Sequence, residues 1–135
     1  MATYRKLLKN RAGDTIIPVV DWLEDYSTSE VDTGRLWVDG KHIYKKSVSI
    51  GSMPNNTQVS KAHGISNFSQ LIKAELRWKD TADNRWYYNA RWDNTTTYVI
   101  LDGVNATSVV ISGKGTNWST RTNNGYATIY YTKSS

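Results

Sequence analysis

The stretch RLWVDGKHIYKKSVSI, residues Arg35 to Ile50, predicts a β-hairpin. Runs of β-branched and aromatic residues flank Asp39-Gly40, and an Asp-Gly pair tolerates the positive φ angles of a two-residue type I′ turn. Because the hairpin is the most definite local structure in the chain, we take it as the start of the main domain. A two-residue turn would create three cross-strand pairs: Val38 with Lys41, Trp37 with His42, and Leu36 with Ile43.

The hairpin has two unequal faces, since side chains alternate along a strand. We expect one face to belong to the core, where it would hold Trp37, Tyr44, Val48 and Ile50, with His42 and Lys46 among them. The opposite face carries three apolar residues next to Lys41 and Lys45 and is too apolar for contact with water alone. It therefore predicts an oligomer interface, formed by Leu36, Val38 and Ile43.

Composition favours strands over helices throughout the chain. The 135 residues fall within the size of one ordinary domain and include nine Tyr and six Trp but a single Phe and two Pro. Thr, Tyr and Trp suit a pleated sheet, whereas Ser and Asn compete with helical backbone bonding. We expect an all-β fold, with an antiparallel β-sandwich or jelly-roll-like head and an extended N-terminal arm.

Several classes of protein are disfavoured by what the sequence lacks. There is no Cys, which excludes a disulfide framework, a Cys-based zinc site and a thiol nucleophile. No apolar run approaches the roughly 20 residues that span a bilayer, and Lys9, Asn10 and Arg11 interrupt any signal-peptide core near the start. We therefore expect production in the cytoplasm and no membrane insertion.

Charge divides the chain into three parts. Residues 1–20 hold four basic residues and one acidic residue, and residues 21–32 hold five acidic residues and no basic one. The remainder carries a net charge of +7, and the whole chain +5. We expect residues 1–33 to form an N-terminal anchoring segment with an acidic arm, and residues 34–135 to form the head. A positive head favours anionic partners through its long-range field, such as nucleic acid or an anionic surface glycan.

The N-terminal segment predicts two short strands around a turn. The apolar pairs Leu7-Leu8 and Ile16-Ile17 flank a turn at residues 10–14, and Pro18 confines the second strand to a sheet edge. A two-stranded unit alone is marginally stable, so it would dock onto the head or onto another protein.

The rest of the chain predicts seven or eight strands at a spacing near ten residues, as in a sandwich or jelly roll. Between Leu71 and Lys79, apolar residues alternate with charged ones, which indicates a strand with one buried face. Arg85 to Trp92 alternates in the same way and predicts one continuous strand. The other expected strands cover 58–62, 98–101, 107–111 and 126–132.

Catalytic and metal-binding residues are sparse. Two histidines, His42 and His63, are too few for a metal site without Cys, and we expect both to be structural. No nucleophile and base stand in a recognisable arrangement. The candidate carboxylates for glycan cleavage lie mostly in predicted turns, where Asp favours the turn itself: Glu75, Asp80, Asp83 and Asp93. We therefore expect no enzyme, no cofactor and no metal.

The densest unusual feature is a cluster of aromatic and polar residues between positions 77 and 93. Flat aromatic rings stack against sugars or bases, while Asn, Asp and Arg bind hydroxyls or phosphates. Alternation assigns half of the rings to the core, so the ligand surface would use only part of the cluster. The candidate glycan-binding residues are Asn84, Trp86, Tyr88, Arg91 and Trp92. Two alternatives stay open: a stand-alone carbohydrate-binding module and a single-stranded nucleic-acid-binding β-barrel, the latter less favoured.

The sequence resembles short appendage proteins of tailed bacteriophages, variously called tail fibre, receptor-binding or head fibre proteins. The resemblance is most specific from Tyr26 to Asn67, where it rests on these strings: Tyr26-Ser27-Thr28-Ser29-Glu30, Gly34, Trp37-Val38-Asp39-Gly40-Lys41, Ile43-Tyr44, Lys46, Gly51, Met53-Pro54-Asn55 and Ala62-His63-Gly64-Ile65-Ser66-Asn67. The start of the chain is similar to the segment by which such proteins attach to the virion, on these residues: Tyr4, Arg5, Lys6, Leu7, Leu8, Lys9 and Asn10, with Ile16, Ile17 and Pro18.

This resemblance implies a virion structural protein with a β-rich and commonly trimeric head. Its partners would be two further copies, other virion proteins bound through residues 1–33, and a glycan of the host surface. Tyr4, Arg5, Leu7, Leu8, Ile16 and Ile17 would carry the virion attachment. The chain departs from longer fibres because residues 21–33 are its entire stem, which favours a short knob or capsid decoration over a far-reaching fibre.

Overall fold

The computed structural model describes residues 26–134 with their side chains, and the backbone of residues 5–9 and 15–20. The predicted anchoring residue Tyr4 and the acidic run at 21–25 lie outside the described residues. Eleven strands and one short helix form in the described part: β1 (Arg5–Lys9), β2 (Thr15–Val20), β3 (Val31–Leu36), β4 (His42–Gly51), β5 (Thr57–Ala62), β6 (Phe68–Asp80), β7 (Arg85–Tyr88), β8 (Ala90–Asn94), β9 (Thr97–Val104), β10 (Ser108–Lys114), α1 (Trp118–Arg121) and β11 (Thr122–Lys133).

The strands form three antiparallel sheets, which confirms the predicted all-β class. β1 and β2 pair alone, a four-stranded sheet has the order β5-β10-β9-β8, and a five-stranded sheet has the order β3-β4-β11-β6-β7. The predicted N-terminal strand pair is therefore present, with Leu7 opposite Pro18. Its role in virion attachment stays a prediction.

The predicted hairpin forms, but its turn and register differ from the expectation. Leu36 pairs with His42 instead of Ile43. The loop has three residues, 38–40, because Trp37 donates to the carbonyl of Lys41 (2.8 Å) and Gly40 donates back to Trp37 (2.9 Å). All three predicted pairs, Val38–Lys41, Trp37–His42 and Leu36–Ile43, are thus wrong by one residue.

The Asp-Gly pair explains this shift. A type I′ turn needs positive φ at both central residues, yet only Gly40 adopts it, at +85°. The carboxylate of Asp39 instead accepts a hydrogen bond from the amide of Lys41 (3.0 Å). A longer loop that ends in a left-handed glycine satisfies both residues, and it shifts the pairing by one position.

The head sheet begins earlier than the sequence indicated. Val31 and Asp32 pair with Lys45 and Tyr44 in β4, so the expected boundary between residues 33 and 34 falls inside β3. Backbone pairing reaches back to Ser27, whose carbonyl accepts from the amide of Ser47 (2.9 Å). The part of the arm after residue 25 therefore lies along the edge of the five-stranded sheet.

Both faces of β4 are covered near its middle. Val48 and Ile50 are buried in the core, as expected. Lys45, expected on the outer face, is also buried, and its ammonium lies 4.3 Å from the centre of the Tyr26 ring. The aromatic ring shields this charge from water and interacts with it favourably.

The predicted strand over residues 85–92 is two strands in different sheets. β7 pairs with β6 in the five-stranded sheet, whereas β8 pairs with β9 in the four-stranded sheet. The break lies at Asn89, whose φ is +61°. This left-handed residue turns the chain out of one sheet and into the other.

One apolar cluster takes side chains from both large sheets. The five-stranded sheet contributes Leu76 and Trp78 from β6, both fully buried, which agrees with the alternation predicted for that strand. The other buried members of the cluster are Val48, Ile50, Ala127, Ile129 and Tyr131 from the same sheet, Val99, Val109 and Ile111 from the four-stranded sheet, and Met53 and Trp118 from the connections.

Candidate functional site

An aromatic trough lies on the outer face of the five-stranded sheet, where β11, β6 and β7 run side by side. Its wide part has a volume of about 650 Å³ and is lined by Arg77, Trp86, Tyr87, Tyr88, Asn124 and Tyr126. A narrower part of about 310 Å³ continues from it and shares Arg77, Tyr88 and Tyr126. The narrow part adds Tyr26, Glu75, Leu76, Asn89 and Thr128 to the lining.

Sheet register brings three of these side chains into one row. Arg77 is the cross-strand partner of Tyr88 on β7 and of Tyr126 on β11. Leu76 and Trp78 point into the core, so Arg77 between them must point outward. Directly paired residues stand about 5 Å apart, so Arg77 stands between the two tyrosines in this row.

The rings of the trough are exposed to solvent. Trp86 is 58% exposed, Tyr88 76% and Tyr126 37%. Large aromatic side chains that share one open face on a regular sheet give a flat, rigid contact surface, because few torsions must be fixed when a ligand stacks on them. The trough is therefore suited to a ligand with flat or ring-shaped faces.

Polar groups of the trough keep unused hydrogen-bonding capacity. Within residues 26–134, neither the guanidinium of Arg77 nor the hydroxyl of Tyr88 or Tyr126 has a hydrogen bond or an ion pair. The Tyr87 hydroxyl differs, since it donates to a carboxylate oxygen of Asp83. The row Tyr88–Arg77–Tyr126 thus offers a ligand one cation and two hydroxyls.

The narrow end of the trough is closed by the arm. Tyr26 lines it and is 46% exposed, with the buried ammonium of Lys45 against its ring. On β6, Lys73 pairs with Glu75 at 2.8 Å. Both the hydrogen bond and the charge of Glu75 raise the pKa of Lys73 above its ordinary value. The charges of Lys73 and Glu75 therefore neutralise each other within the protein.

The structure brings together only two of the five predicted glycan-binding residues. Trp86 and Tyr88 lie in the trough, two residues apart on the outer face of β7. Asn84 is in the turn before β7, with φ of +57°. Trp92 is exposed on the four-stranded sheet, where its ring centre lies 4.3 Å from that of Tyr98. The expected single cluster is thus divided, since the chain changes sheets at Asn89.

Arg91 has a structural environment rather than a ligand-facing one. Its side chain is 14% exposed and binds Asp93 at 2.9 Å and the buried carboxylate of Asp80. The guanidinium also lies 4.1 Å from the ring centre of Tyr87 and 5.4 Å from that of Trp118. It therefore joins β8 to the end of β6.

Three of the four candidate catalytic carboxylates belong to this same network. Asp80 is fully buried and binds Arg121 at 2.6 Å as well as Arg91. Burial alone would raise the pKa of Asp80, but hydrogen bonds from Arg121, the amide of Ala82 and Arg91 hold it below its ordinary value. Asp80 therefore stays ionised and is unsuited to act as a general acid.

The two histidines make defined contacts. His63 is buried, with one ring nitrogen 3.0 Å from the carbonyl of Asn105 and the other accepting from the amide of Ile65 at 3.2 Å. His42 is exposed and lies 2.8 Å from Asp32. In the part of the chain with described side chains, no three His, Asp or Glu residues converge as a metal site.

The sequence pattern missed Tyr126, Asn124 and Tyr26 as lining residues. Alternation in β11 does assign Tyr126 to the outer face, opposite the buried Ala127 and Ile129. What could not be inferred is that β11 pairs with β6, about 50 residues away in sequence and across a change of sheet.

Comparison with family models, with curated proteins and with solved structures found no match. No helix in the described residues has the length and apolar character needed to cross a bilayer.

Proposed function

We propose that this chain is a non-enzymatic appendage protein of a tailed bacteriophage whose head binds a glycan of the host surface. Residues 1–33 include the segment that attaches it to the particle, and the sheets that begin at β3 form an oligomeric head. The observation that carries the binding role is the row Tyr88–Arg77–Tyr126 beside Trp86, with its exposed rings and its unpaired polar groups. The virion role is supported by the resemblance of residues 26–67 to phage appendage proteins.

A β-sandwich is the architecture that best accounts for the two large sheets. Val99, Val109 and Ile111 of one sheet share an apolar cluster with Leu76 and Ile129 of the other. Two sheets packed through their inner faces leave both outer faces free for contacts. In this arrangement the trough and the exposed Trp92 belong to opposite outer faces.

Oligomerisation is supported by the tip of the β3–β4 hairpin. Val38 is 89% exposed and Leu36 60% exposed. Ile43, predicted to share their face, pairs with Arg35 and points to the opposite side of the sheet from Leu36. In a trimer each copy would place this tip against a different patch of its neighbour, and the same two patches would repeat around a closed ring. Sedimentation at micromolar concentration should show a trimer, and a stable monomer would contradict this part of the proposal.

Two measurements test the proposed function. Antibodies against the purified protein should label intact particles of the phage that encodes it, since residues 1–33 hold it there. Protein added to host cells before infection should slow phage adsorption, because it occupies the same glycan. Trp86→Ala should lose this competition and Lys61→Gln, an exposed change on the four-stranded sheet, should keep it.

The alternative of a stand-alone carbohydrate-binding module is favoured by the trough itself, which needs no virion to act. It predicts glycan binding that depends on Trp86 together with unlabelled particles. Absence of glycan binding and of particle labelling would contradict both proposals.

A further inference from the structure

We infer that the ligand of the aromatic trough is an acidic glycan, whose carboxylate or phosphate groups bind Arg77 while its sugar rings lie on Trp86 and Tyr88. This inference rests on the proposed glycan-binding function and adds the chemical class of the ligand. It is carried by the distribution of charge along the trough.

The wide part of the trough is cationic. Of the six residues that line it, Arg77 is the only charged one. Lys79 stands next to it on the same face of β6, as the cross-strand partner of Trp86. Within residues 26–134, no carboxylate pairs with Arg77 or Lys79. Glu75, on the same face, is already bound to Lys73 at 2.8 Å.

A ligand that stacks on the rings would cover this charge. Arg77 stands between Tyr88 and Tyr126 in the row, so a ligand that reaches from one phenol ring to the other passes over Arg77 and displaces its water. A charge that loses its water without gaining a counter-charge weakens binding. A carboxylate or phosphate replaces that water with short, charge-assisted hydrogen bonds, which the planar guanidinium can donate in pairs.

Hydroxyl groups favour a glycan over a nucleic acid. The unengaged hydroxyls of Tyr88 and Tyr126 stand on both sides of Arg77, where they can exchange hydrogen bonds with sugar hydroxyls. A groove for single-stranded nucleic acid instead follows the phosphate backbone with successive cations. Here the cations at the wide part are two neighbours, and the narrow part holds the balanced pair Lys73–Glu75.

The test compares polymers that differ in charge but share a backbone. Polygalacturonate presents a carboxylate on every sugar, and its fully methyl-esterified form presents the same rings without charge. A phosphate-bearing mannan distinguishes phosphate from carboxylate as the preferred group, and a single-stranded oligothymidylate represents nucleic acid. Binding of each to the purified protein would be measured by calorimetry at low and at moderate salt.

We expect at least one acidic glycan to bind roughly tenfold or more tightly than the methyl ester, with an affinity that falls as salt is added. Arg77→Gln should remove this preference, whereas Lys61→Gln, the loss of an exposed charge on the other large sheet, should preserve it. Circular dichroism should be unchanged in both variants, since both side chains are exposed.

Other outcomes separate this inference from the function on which it rests. Equal affinity for the acid and the ester, with both lost in Trp86→Ala, would overturn the acidic preference and leave a glycan-binding trough. Tighter binding of oligothymidylate than of any glycan would overturn both. Failure of every polymer to bind would also overturn the inference.

Discussion

Asn89 holds the backbone of Leu76 from both sides. Its amide donates to the Leu76 carbonyl at 2.7 Å, and its side-chain oxygen accepts from the Leu76 amide at 2.9 Å. The carbonyl of Asn89 then accepts from Leu101 of β9, in the other large sheet, at 2.8 Å. One left-handed residue therefore ends β7, starts β8 and connects the two sheets.

Two substitutions of Asn89 should distinguish how much its side-chain hydrogen bond and its left-handed backbone conformation each contribute to stability. Asn89→Gly keeps an unstrained positive φ and loses the acceptor for Leu76, at a cost of about 1 kcal/mol in the free energy of unfolding. Asn89→Ala loses the acceptor and also strains the backbone, so we expect roughly 2 kcal/mol or more. Urea unfolding measures both values. Equal losses would show that the left-handed conformation contributes nothing.

The burial pattern of a single strand could be predicted from the sequence, whereas the change of sheet could not. Alternation in β6 correctly assigned Leu76 and Trp78 to the core, because burial of one face needs only period two. The change of sheet at Asn89 was missed. Apolar and polar residues continue to alternate on both sides of it, and the left-handed conformation depends on hydrogen bonds to Leu76 and Leu101.

The candidate site was predictable only in part for the same reason. Trp86 and Tyr88, two of the candidate glycan-binding residues, are exposed rings that share one face of a short strand. Tyr126 joins them through the pairing of β11 with β6, which a sequence without aligned relatives does not reveal. Arg91 was a candidate ligand-binding residue, but its contacts with Asp80 and Asp93 make it structural.

Replacement of Asp80 should be among the most destabilising single changes in the head. Asp80→Asn leaves the guanidinium groups of Arg91 and Arg121 without their buried counter-charge, and breaking a buried ion pair costs about 3 kcal/mol or more. Urea unfolding at neutral pH measures the loss. Asp102→Asn, an exposed change that keeps a side-chain oxygen near Ser112, is the matched control and should cost much less.

Asp80 should also make the free energy of unfolding depend on pH. Because the folded protein lowers the pKa of Asp80, this group stabilises the fold at pH values above its ordinary pKa of about 4 and loses that contribution as the pH falls through the folded value. Wild-type protein should lose more unfolding free energy than Asp80→Asn between neutral pH and about pH 3. If the unfolding free energies of the two proteins fell equally with pH, the loss of stability in acid would not come from Asp80.

Glu30 should fix the arm to the head through Tyr131. The buried Tyr131 hydroxyl donates to Glu30 at 2.5 Å, and Lys133 binds the other carboxylate oxygen at 2.9 Å. Burial raises the pKa of Tyr131 and the bond to Glu30 raises it further, so the hydroxyl keeps its proton. Glu30→Ala leaves this donor without its acceptor and should cost about 1–2 kcal/mol.

Tyr131→Phe provides the control for that bond. It removes the donor, so adding Glu30→Ala to it should cost less than Glu30→Ala costs in the wild-type protein. Thermal or urea unfolding of the four proteins gives the coupling energy directly. Additive losses would mean that the hydroxyl and the carboxylate do not stabilise each other.

The two exposed tryptophans offer the sharpest test of where the ligand binds. Trp86 lies in the trough next to Tyr88, whereas Trp92 lies on the other large sheet against Tyr98. Both are nearly equally exposed, at 58% and 59%, so replacement by alanine should leave the unfolding midpoint of either variant close to that of the wild-type protein.

Trp86→Ala should weaken glycan binding roughly tenfold or more, because it removes a stacking surface, and Trp92→Ala should leave the affinity unchanged. Loss of binding in Trp92→Ala alone would move the site to the four-stranded sheet, and equal losses in both would mean that the ligand spans the edge of the head where β7 continues into β8.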